Sequence, residues 1–225
     1  MPASIHQLPS RPVPPFAPDA RPPTLGEVFA PAEDTAGTGF ALAQIGGRAG
    51  ALLWVQDRAA LARAGRPYPP GLARWGTIDL VHVVAGDARG ALWAMEEGLR
   101  CPALAAVVGE IWGDPPALSF TATRRLAVAV ERSGVPAWLV RLAATPNLSG
   151  ARTRWRVRSR RSLPPPFDNR APGEPAWALE LFRARDRPPG AWEVAHEGGA
   201  PDRLRLVPAL ADGALAPSPR GLRAG

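Results

Sequence analysis

Apolar residues in this chain gather in short runs separated by amphipathic stretches. Leu25–Ala30 (LGEVFA), Ala51–Gln56 (ALLWVQ), Ile78–Ala85 (IDLVHVVA), Ala105–Trp112 (AAVVGEIW) and Ala137–Ala143 (AWLVRLA) are too short for helices, and near-continuous apolarity predicts strands buried on both faces. Between them the period changes. In Asp87–Arg100 the residues Ala91, Leu92, Met95, Gly98 and Leu99 fall on one helical stripe. Ser119–Arg132 is a second helix, with Ser119 or Thr121 as cap, Leu126 and Val130 inward, and Gly134 as its stop. Gly37–Gln44 begins a helix with Phe40 and Ala43 on one side, and Pro69–Gly76 makes a short helical turn. From Thr153 onward strands follow without helices: Thr153–Ser159, Ala176–Ala184, Trp192–Ala195 and Arg203–Val207. Alternating strand and helix predicts an α/β fold, a mostly parallel sheet flanked by helices. The trailing strands predict an antiparallel C-terminal extension built of hairpins.

Composition sets the limits of this domain. Residues 1–23 contain eight Pro and read as a disordered arm with polyproline character, residues 211–225 as a flexible tail, and 24–210 as one domain. No run approaches a membrane span and nothing resembles a signal peptide, so a cytoplasmic protein is expected. Cys101 is the single cysteine, which excludes a disulfide framework within the chain. All 27 basic residues other than His are Arg, so no Schiff-base or P-loop lysine exists. The net charge of +7 lies wholly in residues 141–225, where 15 Arg face 8 acids, and this points to an anionic partner.

Most catalytic constellations are missing. There is no Gly-x-Ser-x-Gly elbow and no metal-ligand spacing among His6, His82 and His196. His82, between Val81 and Val83, reads as an ordinary sheet residue, and Cys101 has no His nearby in sequence to activate it. Glu96 and Glu97 read as a solvated helix face. Trp54, Trp138, Trp155 and Trp177 are expected in the core, and Trp75 and Trp112 near element ends.

Several segments in fixed order carry a family likeness: YPPGLARWG (68–76), GALWAMEEGLR (90–100), AAVVGEIWG (105–113), TATRRLAVAVERSG (121–134), TRWRV (153–157), WALELFRAR (177–185) and GAWEV (190–194). From about Leu25 to Glu197 the chain resembles the RecA ATPase core, and more closely the bacterial ImuA family, whose members are often labelled SulA-like or RecA-like. The resemblance implies a RecA-like fold and an accessory role in SOS-induced translesion mutagenesis. The partners it implies are an ImuB-like relative of the Y-family polymerases and RecA, with an error-prone replicative-type polymerase indirectly. A rival of another class is a SulA-type division inhibitor that binds FtsZ.

The residues of the expected nucleotide pocket argue against turnover. A P-loop needs a Gly-rich turn and a Lys facing phosphate. Here the loop runs Pro31-Ala32-Glu33-Asp34-Thr35-Ala36-Gly37-Thr38-Gly39, with no Lys and with two acids, Glu33 and Asp34. Glu33, Asp34, Thr35, Gly37, Thr38 and Gly39 therefore read as a degenerate nucleotide loop. At the end of the second strand, where such ATPases carry an acid, stands Gln56, and an amide cannot take a proton. The Mg-associated acid of the fourth strand is read as Gly109, with Glu110 on the opposite face. We therefore expect a non-enzyme with no cofactor.

The strongest positive feature is RTRWRVRSRR (152–161). On a strand, Arg152, Arg154, Arg156, Arg158 and Arg160 project from one face over roughly 26 Å, and Trp155 and Val157 from the other. Arg183 and Arg185 extend the ladder. DNA is the expected anionic partner; the alternative is a solvated edge strand protected by charge.

Overall fold

The structure, a computed structural model, describes residues 22–45, 47–75, 79–162, 171, 173–197 and 204–207. Residues 1–21 of the proline-rich arm and the tail 211–225 lie outside the described residues. Nine strands form one sheet: β1 (Leu25–Ala30), β2 (Ala51–Asp57), β3 (Leu80–Ala85), β4 (Leu104–Trp112), β5 (Ala137–Leu142), β6 (Thr153–Arg160), β7 (Ala176–Ala184), β8 (Gly190–His196) and β9 (Leu204–Leu206). Five helices accompany them among the described residues: α1 (Ala36–Ile45), α2 (Arg58–Ala64), α3 (Pro69–Leu72), which runs into a 3-10 turn at Ala73–Trp75, α4 (Ala88–Gly98) and α5 (Phe120–Ser133). The sheet order is β3-β2-β4-β5-β1-β6-β7-β8-β9. The expected α/β class with its C-terminal antiparallel strands is what the chain adopts.

One strand departs from the expectation. β6 was grouped with the antiparallel extension, but it lies parallel to β1, with Gly26 opposite Thr153 and Phe29 opposite Arg156. Antiparallel pairing begins only at β7. The connection from β5 carries no helix, which is why the sequence pattern does not announce a parallel crossover. It lies against α5 instead: Gly150 N donates to Thr123 Oγ1 at 2.9 Å, and a Cβ on Gly150 would stand 2.6 Å from the Arg124 Cα. Only glycine allows that approach.

Both faces of the sheet are covered around β1, β2, β4 and β5. Right-handed crossovers send the connection to one face when the chain moves one way across the sheet and to the other face when it reverses. α1, Leu72 of α3 and Trp75 therefore share one core with Val28, Trp54, Val108, Trp155, Val157 and Trp177. α4 and α5 cover the other with Leu53, Val55, Val107, Ile111 and Leu139. Trp54, Trp138, Trp155, Trp177 and Trp75 are all buried, as the apolar pattern requires. Ser119 caps α5 by accepting from Ala122 N, and Gly134 ends it at φ 72°. α2 was not anticipated: Asp57 caps it, accepting from Ala60 N at 2.6 Å. No helix among the described residues is long and apolar enough to cross a membrane.

Candidate functional site

After β2 the chain passes to the α1 face and after β4 to the α4 face, so the C-terminal ends of these paired strands diverge. This switch point is where open α/β sheets place ligands. Here it is filled by the protein's own polar side chains. Gln56 of β2 and Glu110 of β4 are register partners on the α1 face. Gln56 Nε2 donates to Glu110 Oε2 at 2.7 Å and to the Gly65 carbonyl at 2.9 Å. Thr38, in the first turn of α1, donates to the other carboxylate oxygen, Oε1, at 2.5 Å. His82 Nε2 stands 2.9 Å from Gln56 Oε1; the amide oxygen can only accept, so this ring nitrogen carries the proton. Burial lowers the His82 pKa, with the Arg66 charge adding to it, which keeps the ring neutral at pH 7.

Gln56 and Glu110 are both buried. Burial pushes the Glu110 carboxyl up, and the hydrogen bonds from Thr38 and Gln56 only partly offset it. Gly109, read as the vacated acidic position, faces α4, where an added Cβ would meet Met95 Sδ at 2.2 Å, while Glu110 turns toward α1. Alternation separates the two residues onto opposite faces, but the handedness of the crossovers decides which face meets α1.

The linked titration has a definite sign. A carboxyl with a raised folded pKa favours the protonated native state, so its contribution is present below the ordinary carboxyl range and is lost as pH rises through the folded value. Glu110→Gln keeps the shape, and its amide can donate to Thr38 while accepting from Gln56. Urea titrations should show that wild-type stability falls as pH rises above the ordinary carboxyl range, and that the variant loses this component of the slope. An unchanged slope would assign the pH dependence elsewhere.

The loop before α1 is also internally satisfied. Asp34 Oδ1 accepts from Ala36 N at 2.8 Å and from Ser159 Oγ at 2.6 Å, and its Oδ2 accepts from Ser159 N at 2.7 Å. A carboxylate of the chain thus sits at the N-terminus of α1, the end of a helix that attracts anions. Glu33 and Thr35 are exposed. Gly37, Thr38 and Gly39, read both as part of the degenerate loop and as the start of a helix, belong to the first turn of α1. Added Cβ atoms there would stand 3.0 Å from Val28 Cγ1 at Gly37 and 2.9 Å from Trp177 Cζ2 at Gly39, so these glycines let the helix lie close on the sheet.

The arginine stripe has partners. Trp155 and Val157 enter the α1-side core, and the arginines take the other face. Arg154, expected on an open face, is buried: its Nε donates to Glu27 Oε2 at 2.6 Å, and Arg141 donates to Glu27 Oε1 at 3.1 Å. Arg141 also holds Asp114 at 2.6 Å and the Gly113 carbonyl. Arg152 pairs with Glu131, Arg156 with Glu180 at 2.7 Å, and Arg160 with Glu193 at 3.0 Å. Arg158 is exposed and has no acidic partner among the described residues. Phe29 stands 5.3 Å from the guanidinium carbons of both Arg141 and Arg154, which adds cation–π contact to the buried pair. Arg183 and Arg185 are exposed.

Proteins named ImuA from two strains of Caulobacter vibrioides (NA1000 / CB15N and ATCC 19089 / CIP 103742 / CB 15) are each 34% identical to this chain over 192 residues, covering 79% of it and 74% of the relative. The chain belongs to the ImuA family. At family level its role lies in damage-inducible mutagenesis. No protein-family model matches the chain.

Proposed function

We propose that this chain is a non-catalytic accessory protein of translesion mutagenesis, an adaptor between an ImuB-like polymerase relative and RecA at damaged DNA. The observation that carries the reading is the closed switch-point crevice. Glu110, Gln56, Thr38 and His82 satisfy one another there, and Asp34 caps the helix end where phosphate would sit. Opening that network for a triphosphate would strand a buried carboxylate and an amide, each costing about 1–3 kcal/mol or more. With no Lys in the chain, no ammonium can neutralise the phosphates. What remains to act with is surface, and family membership supports surfaces for ImuB-like and RecA partners.

Two measurements test this. Magnesium-ATP should neither raise the melting temperature of the purified chain nor release phosphate above background, since a ligand stabilises only in proportion to its occupancy of the native state. Saturable stabilisation by ATP would overturn the non-catalytic reading. The full chain should also co-purify with an ImuB-like protein and with RecA. If it captures neither, while overexpression produces filamentous cells and deletion leaves mutagenesis intact, the adaptor reading fails in favour of division control.

A further inference from the structure

Where the arginines of β6 have acidic partners, a second group does not. Opposite Arg154, β7 carries one residue more than β6: Trp155 pairs with Leu181 and Arg154 with Arg183, so Phe182 is extra. A bulge of this kind resets the alternation of the strand and re-aims the side chains beyond it. Ala184 accordingly packs on the α1-side core, while Arg183 and Arg185 line a groove with residues of α5. Phe182 itself lies 4.3 Å from the Arg156 guanidinium carbon and 5.1 Å from that of Arg154, which fixes the bulge over the ion pairs.

The groove between α5 and the end of β7 has a volume of about 520 Å³. Arg124, Arg152, Arg183 and Arg185 line it against one carboxylate, Glu131, which is already paired with Arg152. Arg124, Arg183 and Arg185 have no acidic partner among the described residues. Phe120 is 40% exposed on the same groove. Three unneutralised guanidinia around one groove repel one another unless an anion is laid between them.

Geometry selects the kind of anion. Arg183 and Arg185 are two residues apart on extended chain, roughly 6.6 Å, close to the repeat of phosphates along a single strand. The guanidinium fork matches phosphate oxygens two at a time. An exposed aromatic beside a cationic track is how proteins hold unpaired bases. The small floor residues Ala127, Gly150 and Ala151 offer no deep pocket for the apolar anchor of an acidic peptide. We infer that the α5–β7 groove binds the backbone of single-stranded DNA, Arg124, Arg183 and Arg185 contacting phosphates and Phe120 stacking on a base. The inference rests on the lesion-site reading above and moves the DNA contact away from the stripe on β6.

The test is fluorescence anisotropy of labelled oligothymidylate with the full chain. Three phosphate contacts on a single strand predict a log–log salt slope near −2, about 20-fold weaker binding at 200 than at 50 mM salt. Arg183→Ala with Arg185→Ala should weaken low-salt binding at least about tenfold and bring the slope to about −0.7. Phe120→Ala should cost about tenfold with the slope unchanged. Arg156→Ala with Arg158→Ala should leave binding as it is. All these residues are exposed, so circular dichroism and urea midpoints should match wild type. No binding at low salt, an unchanged slope in the Arg183/Arg185 variant, greater loss from the β6 variant, or tighter binding of labelled polyglutamate would each overturn the assignment. Co-purification of the Arg183/Arg185 variant with ImuB-like protein and RecA is scored separately. If partners are held and wild type fails to bind DNA, only the groove assignment falls; if no partner is held by wild type, the adaptor reading falls whatever DNA does.

Discussion

Glu27→Ala should lower the unfolding free energy by about 3–5 kcal/mol, the largest loss expected from any single carboxylate among the described residues. Glu27 and Arg141 are fully buried, and Arg154 nearly so. One carboxylate therefore serves two guanidinia in a place water does not reach. Removing it leaves two cations facing each other across Phe29, with Asp114 the remaining carboxylate on Arg141. The buried guanidinium nitrogens Arg141 Nε and Arg154 Nη2 already have no hydrogen-bond partner, so the cluster has no reserve with which to absorb the loss. The urea midpoint measures the effect. The same physics predicts a rescue: Glu27→Leu combined with Arg141→Met and Arg154→Met removes the charges together and should recover most of the lost stability, because desolvating the ions consumes much of what their attraction returns. A Glu27→Ala variant within about 1 kcal/mol of wild type would show that the guanidinia find solvent in the native state.

Phe40→Ala should cost a comparable amount, about 3–5 kcal/mol, by a different route. Phe40 is fully buried on α1, and its ring lies 5.1 Å from Trp155, 5.7 Å from Trp138 and 6.5 Å from Trp177. It packs against β5, β6 and β7 at once, and so ties the parallel half of the sheet to the antiparallel half. Neighbouring indoles are too large and too fixed to collapse into the vacated space, so most of a phenyl-sized cavity should persist. Thermal unfolding measures the loss, and tryptophan emission should shift as the cluster loosens. Phe40→Leu should lose less than half as much; equal losses would mean that ring geometry, not volume, sets the stability.

The filled crevice and the arginine pairs show how far a linear reading extends. Absence of Lys and the amide at Gln56 are legible in the chain, because they concern which functional groups exist at all. Glu110 was dismissed as facing the wrong way. Its neighbours Thr38 and Gln56 lie 72 and 54 positions away, and only the crossover to the α1 face brings them together. The stripe on β6 was correctly placed on one face by its alternation, but Glu27, which buries Arg154, lies 127 positions away on a neighbouring strand. The short helix α2 left weak traces: its apolar residues apart from Leu61 are alanines, and its Asp57 cap follows directly on the apolar run of β2.

The chain on its own determined the strands β1 to β5 and the long helices α4 and α5, since apolar period and capping act between residues close in sequence. It also determined that no lysine chemistry can occur. Only the tertiary structure decided that β6 runs parallel to β1, that the β7 bulge turns Arg183 and Arg185 toward α5, and which arginines are neutralised. Charge pairing, register and the choice of face depend on contacts between distant segments, and those exist only once the sheet has closed.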